Sequence, residues 1–370
     1  MPRDRIGELL CQPASVAGLN LKNRIVMAPM TRSFSKDGIP TSKVAAYYKA
    51  RASCGLIITE GTVIDHPAAN GYKDVPRFYG EKPLLGWKKV VDAVHEEGAK
   101  IFPQLWHVGK VRRLGQEPDP SVPAYGPMEI KKEGRVIVKG MTQEDISDVV
   151  TAFANAAREA EKLGFDGVEI HGAHGYLIDQ FFFSGTNQRQ DGYGGSLENR
   201  CRFAAEVVSA ARSQVSSSFP ICFRFSQWKM TDYNARLCEN EKELERMLGI
   251  LVSAGVDIFH SSTRKFWLPE FSGSPLTLAG WTQKLSGKPA IAVGSVGLLE
   301  DFISTFKPDF EGDSGITSLS RLQGPLSSGE FSLVAVGRAL ISNPDFAKKV
   351  ASGRYEDLIP YSKQMLEDLS

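Results

Sequence analysis

Residues 164–176 read Gly164-Phe165-Asp166-Gly167-Val168-Glu169-Ile170-His171-Gly172-Ala173-His174-Gly175-Tyr176. The first part, Gly164–Ile170, is a short apolar run of the length a buried parallel strand takes. The second part gathers two imidazoles and a phenol where that strand ends. In front of it lies the clearest helical segment of the chain, Gln143–Leu163. There Ile146, Val149, Val150, Phe153, Ala157 and Ala160 recur at helical spacing, and Thr142 with Asp145 opens the segment as an N-cap. A helix feeding a short buried strand with a polar end is one unit of an α/β fold.

The unit repeats in both directions. Apolar runs occur at Arg24–Met30, Gly55–Thr59, Lys100–Trp106, Pro220–Phe225, Val256–His260, Ala290–Val293 and Leu333–Val336. Helical spacing marks Ser42–Ala52, Leu84–Glu97, Leu197–Gln214, Glu239–Ala254, Leu278–Leu285, Leu298–Phe306 and Asp345–Ala351. Eight strands alternating with eight helices fit a doubly wound sheet or a closed barrel, and the count favours a (β/α)8 TIM barrel. Residues 1–370 are read as one domain. Two excursions break the rhythm. Lys110–Met141 follows the third strand and carries a hairpin at Gly134–Val138, placed to cap the barrel mouth. Lys307–Glu330 precedes the eighth strand, with a helical turn at Ser318–Leu322.

Composition narrows the function. Lys plus Arg number 44 and Asp plus Glu 43, a balance that disfavours nucleic acid or an anionic membrane as partner. The cysteines, Cys11, Cys54, Cys201, Cys222 and Cys238, form no C-x-x-C pair and read as reduced thiols. No secretory signal or bilayer-length apolar run is present, so the expected location is the cytoplasm, as a monomer or homodimer.

Barrel enzymes place their chemistry at the C-terminal strand ends. Those ends here carry Ala28-Pro29-Met30-Thr31, Glu60-Gly61, Gln104 with Trp106 and His107, the His171–Tyr176 cluster, Arg224, His260-Ser261-Ser262, Gly294-Ser295 and Gly337-Arg338. No Ser/His/Asp set or carboxylate pair stands out. The loops after strands seven and eight suit a phosphate: Gly294 and Gly337 allow close backbone approach and Arg338 adds a fixed charge. A metal site on His171, His174 and His107 is disfavoured, because no carboxylate or cysteine stands with them. A barrel lyase or isomerase acting on a sugar phosphate is disfavoured because no strand end carries a Schiff-base lysine, and a non-enzymatic regulatory barrel would leave both histidines and Tyr176 incidental.

Four ordered blocks carry a resemblance: Met27–Arg32, Gly164–Tyr176, Tyr193-Gly194-Gly195-Ser196-Leu197-Glu198-Asn199-Arg200 and Val336-Gly337-Arg338. With them the chain resembles, nearly end to end, the Old Yellow Enzyme family of FMN-dependent ene-reductases. The resemblance implies non-covalent FMN across the barrel mouth and NAD(P)H as reductant. It also implies an α,β-unsaturated carbonyl or nitro compound as substrate. Pro29, Met30 and Thr31 fall where that family meets the flavin, Gly61 and Gln104 at its pyrimidine ring, and Arg224 at its N1–O2 edge. Gly294, Ser295, Gly337 and Arg338 fall at its phosphate. His171 and His174 correspond to the pair that binds the substrate oxygen, and Tyr176 to the proton donor.

The chemistry asks for such groups. Hydride delivery to a β-carbon puts charge on the carbonyl oxygen, which two imidazole donors stabilise. The α-carbon then needs a proton, which a phenol supplies at neutral pH. Tyr72, Phe266 and Trp267, in loops after strands two and six, are expected to face the substrate. Trp87, Trp228 and Trp281 read as packing, and Glu169 as an internal partner for a Lys or Arg. Tyr193–Arg200 reads as architectural, with Ser196 as a cap. A histidine at 174 titrates near neutrality, so activity is expected to fall at a pH it sets. Ser226-Gln227-Trp228-Lys229 departs from the Ser-Pro of many relatives and leaves that loop open.

Overall fold

Eight parallel strands close on themselves: β1 Ile25–Met27, β2 Leu56–Val63, β3 Lys100–Trp106, β4 Val168–His174, β5 Ile221–Lys229, β6 Ile258–Ser262, β7 Ala290–Val293 and β8 Leu333–Val336. Each pairs with its successor in sequence, and β8 returns to β1 through Val334↔Ile25 and Val336↔Met27. This is a (β/α)8 barrel. The computed structural model describes residues 5–300 and 314–369. Helices α1 Ser42–Ala50, α2 Glu81–His95, α3 Gln143–Leu163, α4 Leu197–Gln214, α5 Glu241–Ala254 and α6 Leu278–Ser286 fill the successive crossovers, and α7 Phe346–Ala351 follows β8. Of the helix expected at Leu298–Phe306, residues 301–306 lie outside the described residues. Leu298 itself sits in a bridge to Ile316.

Several boundaries move for one physical reason. β4 begins at Val168, not Gly164, because Gly164 takes the left-handed conformation (φ 86°) that ends α3. It then runs on through His174. β2, β5 and β6 likewise continue to Val63, Lys229 and Ser262. An apolar run marks only the part of a strand whose neighbours are apolar. The backbone ladder continues past it, because its hydrogen bonds do not depend on side-chain polarity.

The interior has a floor. The hairpin Ala14–Val16/Leu19–Leu21 packs its buried Ala14, Val16, Leu19 and Leu21 with Val26, Leu56, Ile58, Phe102, Ile258, Ile291 and Leu333 of the strands. A larger apolar layer, with Trp87 and Phe153 at its centre, joins strands to helices. Ends are capped as the sequence implies: Thr142 and Asp145 form a capping box, and Ser196 accepts from Asn199 N–H at the start of α4. Arg200 donates to Phe182 O (2.7 Å), while Glu198 pairs with Arg246 (3.1 Å). The first excursion folds as a small sheet, Ala124–Gly126, Ile130–Lys132 and Arg135–Gly140, turning at Glu133 and Gly134 with positive φ. In the second, Ser318 caps a 3-10 turn at Leu319–Leu322. Among the described residues no helix is long and apolar enough to cross a membrane.

Candidate active site

A cavity of about 540 Å³ opens at the C-terminal ends of the strands. β1 contributes Ala28, Pro29, Met30 and Thr31, and β3 Gln104 and Trp106. β4 contributes His171, His174 and Tyr176, β5 Arg224 and Trp228, and the loops after β7 and β8 Gly294, Ser295, Gly337 and Arg338. No residue of 110–141 lines it, so the small sheet does not cap this cavity.

The end of β4 is bent to present its side chains. His174 takes φ 64° and Gly175 φ 84°, two successive left-handed residues that turn the chain out of the strand. Asp179, in the following helix Leu177–Phe182, accepts from the Gly175 N–H and ion-pairs with Lys229 of β5 (Nζ–Oδ1 2.7 Å), both fully buried. The turn is thereby tied to the neighbouring strand. His171 lies edge to face with His174 at 5.3 Å and with Tyr176 at 5.0 Å between ring centroids, so the three side chains share one wall. Tyr176 Oη meets Tyr72 Oη at 3.0 Å.

Burial, reinforced by the Arg224 guanidinium, pushes His171 down to about 3, and the same two causes hold His174 well below its ordinary value. Both imidazoles are therefore neutral. His171 Nδ1 accepts from Ala173 N–H (3.3 Å), which puts its proton on Nε2, free to donate. His174 Nε2 shares a hydrogen bond with Ser262 Oγ (2.7 Å). Burial also keeps the Tyr176 hydroxyl protonated, far above the usual range for a phenol. The expectation that His174 sets a near-neutral activity limit does not survive this environment.

Beneath this wall sits a buried charge network. Arg224 stands beside His171 and His260 in the strand register. Glu169 accepts from Gln104 Nε2 (2.7 Å) and from His260 Nδ1 (2.6 Å). Burial acts to raise Glu169, but His260, Arg224 and Gln104 more than offset it and hold it below the usual range, so the carboxylate is charged. Glu169 is thus an internal partner, but of a histidine and a glutamine rather than the Lys or Arg expected. Arg224 donates to Ser262 Oγ (3.2 Å), while its Nε is buried with no hydrogen-bond partner among the described residues. Arg224 lines the cavity, and a buried cation there favours an anionic or acceptor-rich ligand.

The phosphate-type loops line the same cavity. Gly294 has φ 135° and a Cβ there would lie 2.4 Å from Thr263 O, so the approach of the loop after β6 requires its glycine; at Gly337 a Cβ would rest in ordinary van der Waals contact with Met30 Sδ at 3.7 Å. Arg338 lies across the Tyr361 ring at 5.6 Å and donates to Glu300 O (2.7 Å).

Not every expected residue comes here. Gly61 does not line the cavity; a Cβ on it would lie 2.4 Å from Trp106 Cε3, so its place is to let that indole pack against β2. Phe266 and Trp267 also stay out. Phe266 is buried in the outer core, and Trp267 lies under the Arg321 guanidinium at 4.3 Å. Trp228, read as packing, lines the cavity instead: its ring stacks on His174 at 4.6 Å and its Nε1 donates to Ser262 O (3.1 Å). The whole departing segment is used. Ser226 Oγ accepts from His174 N–H (3.0 Å), Gln227 ties down Leu237 and Cys238, and Lys229 holds Asp179. The signal for Trp228 and Ser262 is alternation: both share a face with Arg224 and His260 once the strands are allowed to continue. Tyr233, Tyr361 and Leu366 also line the cavity and carry no such signal. His107 pairs with His66 (3.0 Å).

Comparison with known proteins follows the same lines. A profile of the NADH:flavin oxidoreductase / NADH oxidase family matches residues 9–300. 12-oxophytodienoate reductase 7 of Oryza sativa subsp. japonica is 34% identical over 353 residues, covering 92% of this chain and 87% of that protein. Putative 12-oxophytodienoate reductase 2 of the same organism is 44% identical over 214 residues, and that match spans 56% of this chain and only 57% of the relative. Among solved structures, morphinone reductase in complex with tetrahydroNAD superposes with a TM-score of 0.80 at 29% identity, covering 96% of this chain and 93% of that one.

Proposed function

The chain belongs to the Old Yellow Enzyme family, the NADH:flavin oxidoreductase / NADH oxidase family, and on that premise we propose that it is an FMN-dependent, NAD(P)H-driven reductase of α,β-unsaturated carbonyl compounds. When bound, FMN would supply the hydride for the β-carbon. Pro29, Met30, Thr31, Gln104 and Arg224 would hold the ring, and Gly294, Ser295, Gly337 and Arg338 the phosphate; all line the same cavity. The fixed charge of Arg224 would favour negative charge at the ring edge next to it.

The remaining residues act on the substrate. His171 donates from Nε2 to the carbonyl oxygen, and His174 adds a second donor beside it. Both are neutral and fixed by neighbours, so neither must reorganise as charge builds on that oxygen. Tyr176 gives its proton to the α-carbon. The observation that carries the reading is the shared wall of His171, His174 and Tyr176 in a cavity that the buried Arg224 also lines.

The test is the visible spectrum of the purified protein, followed by titration with a para-substituted phenol. Flavin absorption and a new long-wavelength band on adding the phenol are expected, together with loss of that band in His171→Ala. A protein that stays colourless after incubation with FMN would overturn the reading.

A further inference from the structure

Each reduced double bond consumes the Tyr176 proton, and the tyrosinate left behind is buried where charge is costly. It has to be reprotonated before the next turnover. Among the described residues the Tyr176 hydroxyl hydrogen-bonds to Tyr72 Oη alone, at 3.0 Å across 104 residues of sequence. Tyr72 is not there by chance of rotamer. Its ring stacks on the Trp106 indole at 5.3 Å and 23°, and that indole stands edge-on to Tyr176 at 4.9 Å. Its backbone N–H is held by Asn70 Oδ1 at 3.0 Å. One indole thus sets both phenols.

The donor count then fixes a direction. A hydroxyl has one proton to give. When Tyr176 points its proton at a substrate carbon, its oxygen can only accept from Tyr72. Both phenols line the cavity, and Tyr72 is half-buried where Tyr176 is buried, so Tyr72 is the one more open to water.

We infer that Tyr72 is the residue that resupplies Tyr176 with its proton. The Tyr176 O–H bond breaks as the α-carbon–hydrogen bond forms, and the electron pair stays on the Tyr176 oxygen. The Tyr72 proton crosses the hydrogen bond to that oxygen. Tyr72 takes a proton from water, leaving hydroxide that the buffer neutralises. Per double bond, one solvent proton is used, and the hydride and its two electrons come from the nicotinamide reductant. The inference rests on the proposed acid role of Tyr176. It gives Tyr72 a relay role beside the substrate-facing place the sequence implies.

The test uses the holoenzyme in anaerobic steady-state turnover with saturating NAD(P)H and either 2-cyclohexenone or benzoquinone, in H2O and D2O, so that Tyr176 must be resupplied in every cycle. A quinone takes its protons on oxygen, directly from water, and needs no C-protonation. In Tyr72→Phe the ratio of enone to quinone turnover rates should fall about tenfold, less than the roughly hundredfold or more that a positioned proton donor itself contributes. The solvent isotope effect on the enone reaction should rise. Tyr72→Phe/Tyr176→Phe should be no slower than Tyr176→Phe. An unchanged ratio with an unchanged isotope effect in Tyr72→Phe overturns the relay, whether or not both rates drop together. If Tyr176→Phe itself keeps the parental ratio, the acid assignment has failed and the relay falls with it. That outcome is read from a different variant and is distinct from failure at Tyr72.

Discussion

The two halves of the barrel interior are built on the same strands and do opposite work. Along β3 the inward positions run from Phe102 to Gln104, along β4 from Glu169 to His171, and along β6 from Ile258 through His260 to Ser262. The lower ends form a dry apolar cluster closed by the N-terminal hairpin. The upper ends carry a buried carboxylate, an arginine and neutral imidazoles. Burying charge costs several kcal/mol per ion unless it is paired and hydrogen-bonded. Here the charges are paired with one another, and they stand on a floor of buried apolar side chains.

The contrast can be broken from either side. Phe102→Ala empties part of the floor and should cost about 3–5 kcal/mol of stability in urea unfolding, while kcat/KM for an enone stays at the parental value; a loss of activity without loss of stability would mean the halves are not separable. His171→Ala at the mouth should do the reverse. Loss of one oxyanion donor predicts about a hundredfold or greater fall in kcat, near 3 kcal/mol, with the unfolding midpoint held. Glu60 tests the support behind the mouth. Its carboxylate accepts from the N–H groups of Arg32 and Ser33 behind Thr31, yet burial pushes it up to about 7. A carboxyl with a raised native pKa stabilises fully below about 4.5 and loses that contribution as pH rises through 7, on the order of 3 kcal/mol. The stability difference between the parent and Glu60→Gln should therefore shrink or invert across that window, and a constant difference would count against it. The smallest effect expected is a null. With His171 and His174 neutral, enone reduction should show no histidine ionisation between about pH 5 and 9, in the parent and in His174→Asn alike; a bell with an acid limb near 6.5 would contradict the site described here.

Much of this was legible beforehand, for definable reasons. The eight apolar runs announce the barrel because a parallel strand buried on both faces must be apolar. The cluster at 171–176 announces the site because two histidines and a tyrosine gather at the C-terminal end of one strand, where barrel enzymes place their chemistry. What could not be read is where each strand stops, since past the apolar run only backbone pairing continues. Trp228 was hidden for that reason, and Ser262 with it. Phe266 and Trp267 misled because their loop turns back into the outer core, and Gly61 because its glycine serves Trp106 rather than a ligand.

By itself the sequence determined the alternation of strands and helices, the polar strand ends and the three side chains on β4, because period and composition are local properties. Only the tertiary structure decided the neutrality of the two imidazoles, the burial of Arg224 between His171 and His260 and the meeting of Tyr72 with Tyr176. Those depend on what lies across the barrel, and burial and charge act between residues that the chain keeps far apart.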